Sequence, residues 1–186
     1  RRGVIAAIGA LTVAFSLFAL LGAGAAGATT IGPDGFGYTA TSTAESLRTL
    51  SSDALVLPIG DDEVAGVAIG FPFSFYGIAN DTAYVSSNGF LSFDDTVDPG
   101  CCEGQPLPSA DEVNNVVAGL WTDLCAGPGS EKSPCYGRIH AETIGVAPNR
   151  EFVADFDFVS YCCGDSGALV KFQIILHETS NAIELQ

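Results

Sequence analysis

From Tyr38 onward the apolar residues recur at every second position, the period of a strand with one covered face, rather than at every third or fourth as in a helix. Phe71, Phe73 and Phe75 alternate with Pro72, Ser74 and Tyr76. Residues 82–87 and 90–93 flank Asn88-Gly89, a pair that readily takes the positive φ angles of a two-residue hairpin turn. Phe152, Ala154, Phe156 and Phe158 fall on one face of a predicted strand, with Asp155 and Asp157 on the other. Val170, Phe172, Ile174 and Leu176 then alternate with Lys171, Gln173, Ile175 and His177. Clusters of Gly, Pro, Asn and Asp separate these runs, which together predict an antiparallel β-sandwich or barrel. One short helix is predicted around residues 44–50, and residues 100–115 and 126–134 read as long loops.

The first residues have a different character. Arg1 and Arg2 precede an apolar stretch over residues 4–21, followed by Gly22-Ala23-Gly24-Ala25-Ala26-Gly27-Ala28. A charged start, an apolar middle and an A-x-A end predict a hydrophobic signal helix over residues 1–28, cleaved after Ala25 or Ala28. The less favoured reading is a retained anchor, since about 20 apolar residues span a bilayer. Residues 22–27 also match G-x-G-x-x-G, but dinucleotide binding needs a strand before that motif and a helix after it, and neither is predicted. The chain has no Met, so its natural start is expected upstream, and residues 181–186 read as a strand cut short, so the domain over 29–186 is expected to be truncated.

Seven Lys and Arg against 22 Asp and Glu give a net charge of −15, which repels phosphates. Nucleic acid is therefore not an expected partner, and membrane contact is expected only through an uncleaved signal segment. The acids are scattered and only 16% of residues are charged, so a folded domain is expected rather than a disordered chain.

Six cysteines behind an export signal, Cys101, Cys102, Cys125, Cys135, Cys162 and Cys163, predict disulfides made in an oxidising compartment. Cys125 and Cys135 would close a local loop, and the 101–102 pair would bridge to the 162–163 pair, because bonds between sequence neighbours are disfavoured. No zinc spacing is present. Calcium is the one cation the acids suggest, through Asp61-Asp62-Glu63, Asp94-Asp95 with Asp98, or Asp155 with Asp157; without a D-x-D-x-D-G loop, solvated surface acids are the preferred reading and no cofactor is expected. Cys163-Gly164-Asp165-Ser166-Gly167 looks like the nucleophile loop of chymotrypsin-like proteases, but neither His140 nor His177 has the matching context, so a plain turn is expected and no catalytic residue is assigned. Asn80-Asp81-Thr82 is a glycosylation sequon. Trp121 is expected to be a buried core residue in an apolar strand, with a sugar-stacking Trp as the functional alternative, and His177 a surface or rim residue.

An ordered series of short motifs remains. It runs from Gly70-Phe71-Pro72-Phe73 and Phe75-Tyr76-Gly77 through Val85-Ser86-Ser87-Asn88-Gly89-Phe90-Leu91-Ser92-Phe93 and Gln105-Pro106-Leu107-Pro108. It continues with Val117-Ala118-Gly119-Leu120-Trp121-Thr122-Asp123-Leu124, then Gly137-Arg138-Ile139 and Pro148-Asn149-Arg150-Glu151-Phe152-Val153. Phe172-Gln173-Ile174-Ile175-Leu176 and Asn181-Ala182-Ile183-Glu184-Leu185-Gln186 close it. Over residues 60–186 the series resembles the nidogen-like extracellular domain and its bacterial secreted relatives. The paired cysteines and Phe156, where a Trp is common, depart from that pattern. The resemblance implies a secreted or cell-surface β module without catalysis, serving adhesion, binding or structural roles toward an extracellular protein or glycan. The alternative is a carbohydrate-binding accessory module of a secreted hydrolase, with Tyr76, Tyr84, Tyr136 and Tyr161 as stacking candidates.

Overall fold

The computed structural model describes residues 29–44, 46–107, 113–127, 135–162 and 168–186. The predicted signal segment 1–28, Cys163 and the loop carrying Ser166 lie outside the described residues. The chain divides at Thr43 into two compact units. In the first, β1 (Thr30–Ile31) pairs antiparallel with β2 (Ala40–Thr41). Asp34 shapes the intervening loop, its Oδ1 accepting from the amides of Phe36, Gly37 and Tyr38 at 3.0, 2.8 and 2.8 Å.

The second unit is an antiparallel β-sandwich. One sheet has the order β4-β5-β6-β7, from β4 (Val64–Phe75), β5 (Ile78–Ser86), β6 (Phe90–Ser92) and β7 (Val116–Ala118). The other has the order β12-β11-β10-β9-β3, from β3 (Leu55–Val56), β9 (Arg138–Ile144), β10 (Glu151–Tyr161), β11 (Leu169–His177) and β12 (Ile183–Leu185). A short β8 (Leu124–Cys125) pairs with the end of β10. The predicted alternation in β4 is observed: Phe71, Phe73 and Phe75 are buried, and Phe73 and Phe75 meet Phe93 with ring centroids 5.6 and 4.8 Å apart. Phe156 on β10 and Phe172 on β11 stack at 4.3 Å. Each such ring contributes about 2–3 kcal/mol by leaving water.

The outer edge of β4 is closed by side chains. Its pairing with β5 shifts between Ala68 and Phe73. There Thr143 Oγ1 donates to the Ile69 carbonyl at 2.7 Å, Arg150 Nη1 donates to the Gly70 carbonyl at 2.6 Å, and Asn181 Oδ1 accepts from the Ser74 amide at 2.7 Å. Capping an edge in this way blocks strand addition. Arg150 also pairs with Glu178, holding that carboxyl down at about 2.

Three predicted features differ. No helix occurs among the described residues, and 46–50 run without regular structure. The Arg48 backbone bonds instead to the carboxamide of Gln173, its amide donating to Oε1 at 2.6 Å and its carbonyl accepting from Nε2 at 2.9 Å. A side chain on β11 thus satisfies groups that a helix would have paired internally. The link between β5 and β6 is also not a two-residue turn: Ser86 faces Phe90, leaving Ser87, Asn88 and Gly89 between them. Finally, Phe158 does not join the core. The β10–β11 register shifts between Phe156 and Val159, Phe158 takes φ 52° and is 54% exposed, and Val159 is buried in its place. Lys171 Nζ lies 5.0 Å from the Phe158 ring centroid.

This bulge yields the first prediction. Val159→Ala should cost about 2 kcal/mol in chemical denaturation, whereas Phe158→Ala should cost under about 1 kcal/mol. Unbroken alternation would reverse that order.

Candidate functional site

The loops at one end of the sandwich are organised around a buried polar turn. Ser86, Ser87 and Asn88 are all buried. Asn88 Nδ2 donates to Asp62 Oδ1 at 2.7 Å and to the Pro99 carbonyl at 3.3 Å, while its Oδ1 accepts from the Leu124 amide at 2.9 Å. Ser86 Oγ donates to the same Pro99 carbonyl at 2.6 Å. Ser87 exchanges two bonds with Glu63, amide to carbonyl at 2.9 Å and Oγ from the Glu63 amide at 3.1 Å. The Gly89 carbonyl accepts from the amides of Gly119 and Leu120, both at 3.1 Å. Gly89 has φ +87°, and a Cβ there would lie 1.9 Å from the Leu120 carbonyl oxygen, so only glycine fits. Trp121 lies beyond β7 in the link to β8 and is half-buried, contrary to expectation. Its Nε1 donates to the Gly100 carbonyl at 2.7 Å, and its ring sits 5.1 Å from Phe90.

Around this turn lie the first acids and most of the cysteines. Carboxylate oxygens of Asp61, Asp62 and Asp123 come within 4.8 Å of one another, and Cys162 Sγ donates to Asp61 Oδ2 at 3.4 Å. Burial, then the Asp61 charge, pushes the Asp123 carboxyl up. Glu63 turns away to accept the Gly60 amide at 2.7 Å. Three oxygens are fewer than the six to eight that calcium takes, and Asp62 is already engaged by Asn88. Asp94 accepts both the amide and the hydroxyl of Thr96, and Asp98 accepts the Gly100 amide, so these acids shape turns.

Cys125 and Cys135 are bonded, with Cα atoms 5.0 Å apart, tying β8 to the entry of β9. Cys101 and Cys102 are bonded to each other across a cis peptide, with Cα atoms 3.2 Å apart. This pairing differs from the expected bridge to Cys162 and Cys163, of which Cys163 lies outside the described residues.

A second constellation lies on the outer face of the six-stranded sheet, under the strap of residues 46–54. Arg48 reaches Glu151 on β10 through Nε at 2.8 Å and Nη2 at 3.2 Å, and Glu184 on β12 through Nη2 at 2.9 Å. His177 on β11 sits between the same two carboxylates, at 3.3 and 3.0 Å, so it is a half-buried partner of acids. These hydrogen bonds hold the Glu151 carboxyl below the usual range and raise the Arg48 guanidinium further. The strap's other end is fixed by Ser51, whose amide and hydroxyl donate to Glu142 at 2.7 and 2.6 Å. Between strap and sheet lies a groove of about 360 Å³, lined in part by Thr49, His140, Asp155, Asp157 and Lys171. Strand register places His140 opposite Asp155. Asp155 was expected on an open polar face but is 7% exposed, because the strap covers it; its Oδ1 accepts from Gln173 Nε2 at 2.9 Å. Asp157 pairs with Lys171.

The stacking candidates are dispersed. Tyr76 is exposed at the β4–β5 turn, Tyr136 is exposed before β9, and Tyr84 and Tyr161 are partly covered. Asn80 of the sequon donates to the Ile78 carbonyl at 2.9 Å. Neither Asn88 nor Arg48 was foreseen as an organising residue. Asn-Gly signalled a turn but not its burial, and Arg48 reaches partners more than 100 residues away.

Three outcomes follow. Asn88→Ala should destabilise by about 3 kcal/mol, because buried donors and acceptors lose their partners; a cost under about 1 kcal/mol would contradict the geometry. Replacing Cys125 and Cys135 by Ala should cost about 3 kcal/mol from the reopened loop, read as a lower denaturation midpoint. Arg48→Met should cost about 1–2 kcal/mol at neutral pH. Glu151 and Glu178 have lowered folded pKa values, so their contribution is fully present above about pH 5 and is lost as pH falls through those values. Acid titration of stability should therefore be shallower in Arg48→Met than in the parent, and identical curves would refute the strap network.

Comparison with known proteins supplies the remaining evidence. No curated protein and no solved structure matches the chain. A family model described as NIDO related matches residues 37–186, which covers the sandwich from its first strand to its last. The chain belongs to the NIDO-related family, the nidogen-like domains whose resemblance its motifs carry.

Proposed function

We propose that this chain is a secreted or cell-surface module with a non-catalytic role in adhesion, binding or structure, exported through residues 1–28. The family supports an extracellular β-rich domain, and the Cys125–Cys135 bond suits an oxidising environment. The observation that carries the non-catalytic reading is where the polar side chains are used. Asn88, Arg48, Arg150, Glu178 and His177 hold loops and edges to the sheets. Among the described residues neither histidine hydrogen-bonds a hydroxyl or thiol, the pairing that activates a nucleophile.

The test uses the purified chain, fluorescently labelled, on the surface of the cells that produce it and on extracellular matrix prepared from them. Saturable binding displaced by unlabelled chain, with no turnover of chromogenic ester, peptide or glycoside substrates, is the expected result. Turnover that copurifies with the folded chain, without saturable binding, would overturn the proposal. The second reading, a carbohydrate-binding accessory module, is favoured by one feature, the polar groove beneath the strap.

A further inference from the structure

The groove between the strap and the six-stranded sheet gathers groups that the fold leaves unused. Asp155 is 7% exposed and bonds Gln173 through Oδ1; among the described residues its second carboxylate oxygen has no hydrogen-bond partner, although the residue lines the groove. His140, its cross-strand neighbour, also lines the groove, and its imidazole has no hydrogen-bond partner among the described residues. Lys171 places an ammonium beside them, paired with Asp157. Arg48 forms part of the wall, but its guanidinium is committed to Glu151 and Glu184. Asp155 is therefore a nearly buried residue with one carboxylate oxygen unengaged at the groove, and His140 stands opposite it in the strand register. A buried carboxylate is ordinarily satisfied within the protein, so the open oxygen of Asp155 is the group that calls for a partner, with the half-buried His140 beside it.

We propose that this groove binds one sugar ring of a neutral saccharide, which gives a ligand class to the binding module above and rests on that reading. The lining decides the chemistry. Two carboxylates, on a chain of net charge −15, disfavour an anion. A small cation would compete with Lys171, whose ammonium already sits beside Asp157. Adjacent hydroxyl groups suit the mixture: one donates its proton to Asp155, and its neighbour accepts from Lys171 or His140. A volume of about 360 Å³ lies at the small end of ligand sites, the size for a single ring. None of the described lining residues is Phe, Tyr or Trp, so affinity rests on hydrogen bonds and is weak, with Kd on the order of 1 mM. The strap supplies one wall and is fixed at both ends, by Arg48 and by Ser51, so the groove is formed before the ligand arrives.

Saturation-transfer NMR on the whole chain tests this, using methyl glycosides of glucose, galactose, mannose, fucose and N-acetylglucosamine as probes. At least one glycoside should receive saturation, and His140→Ala and Asp155→Asn should each weaken its binding at least about tenfold. Asp155→Asn alters a buried hydrogen bond and can cost folding. His140→Ala removes a side chain without a protein partner, so it should keep the parent melting temperature. No transfer to any probe, or undiminished transfer in a folded His140→Ala variant, overturns the groove assignment. If surface binding persists while all glycosides fail, only the ligand class falls; if both fail, the binding-module reading falls with it.

Discussion

One buried carboxamide, that of Asn88, sets the geometry of the loop end of this sandwich. It reaches Asp62 and Pro99, in two loops far apart in sequence, and Leu124, the first residue of β8. A buried amide left unpaired costs more than a made hydrogen bond contributes, so each of those loops is held where the turn can use it. The glycine that follows allows the Leu120 carbonyl to approach where any side chain would collide. Around this centre sit the two disulfides, Trp121 and the trio of carboxylates. The position of β8, and with it the Cys125–Cys135 bond, depends on the same turn.

The opposite problem, edges and open faces, is met with charge. β4 is long and apolar, and its free edge would be a template for strand addition. Thr143, Arg150 and Asn181 occupy it instead. The strap over the six-stranded sheet is held by Arg48 between two glutamates on strands that are not neighbours, β10 and β12, with His177 of β11 between them. These interactions use the few cations of an acidic chain at places where they close structure. That leaves, among the described residues, one carboxylate oxygen of Asp155 and the imidazole of His140 at a cavity without a hydrogen-bond partner.

Much of the fold was legible in the sequence, because period-two alternation follows directly from which face of a strand meets the core. It located β4, β5, β10 and β11. It failed where tertiary contacts override the local pattern. Phe158 kept the alternation in sequence, but a bulge turned it outward and put Val159 in the core. Residues 44–50 had a helical composition, yet the Gln173 carboxamide competed successfully for the Arg48 backbone. Asn88-Gly89 announced a turn, but its burial depended on Asp62, Pro99 and Leu124, which no local window contains. The groove was illegible for the same reason. Asp155 and Asp157 were visible as a polar face, but nothing near them in sequence showed that a distant strap covers it.

Native-state hydrogen exchange at the amides of Ser87, Gly89, Thr122 and Leu124 tests the central claim most directly. Each donates to the turn or from it: Ser87 to the Glu63 carbonyl, Gly89 to the Ser86 carbonyl, Thr122 to the Asn88 carbonyl and Leu124 to Asn88 Oδ1. If the buried turn holds this end together, these four amides exchange only through global unfolding, with the same protection as the central strands β10 and β11. Exchange at the rate of exposed loops, with β10 and β11 still protected, would show that the loops close independently of the turn and would contradict the account.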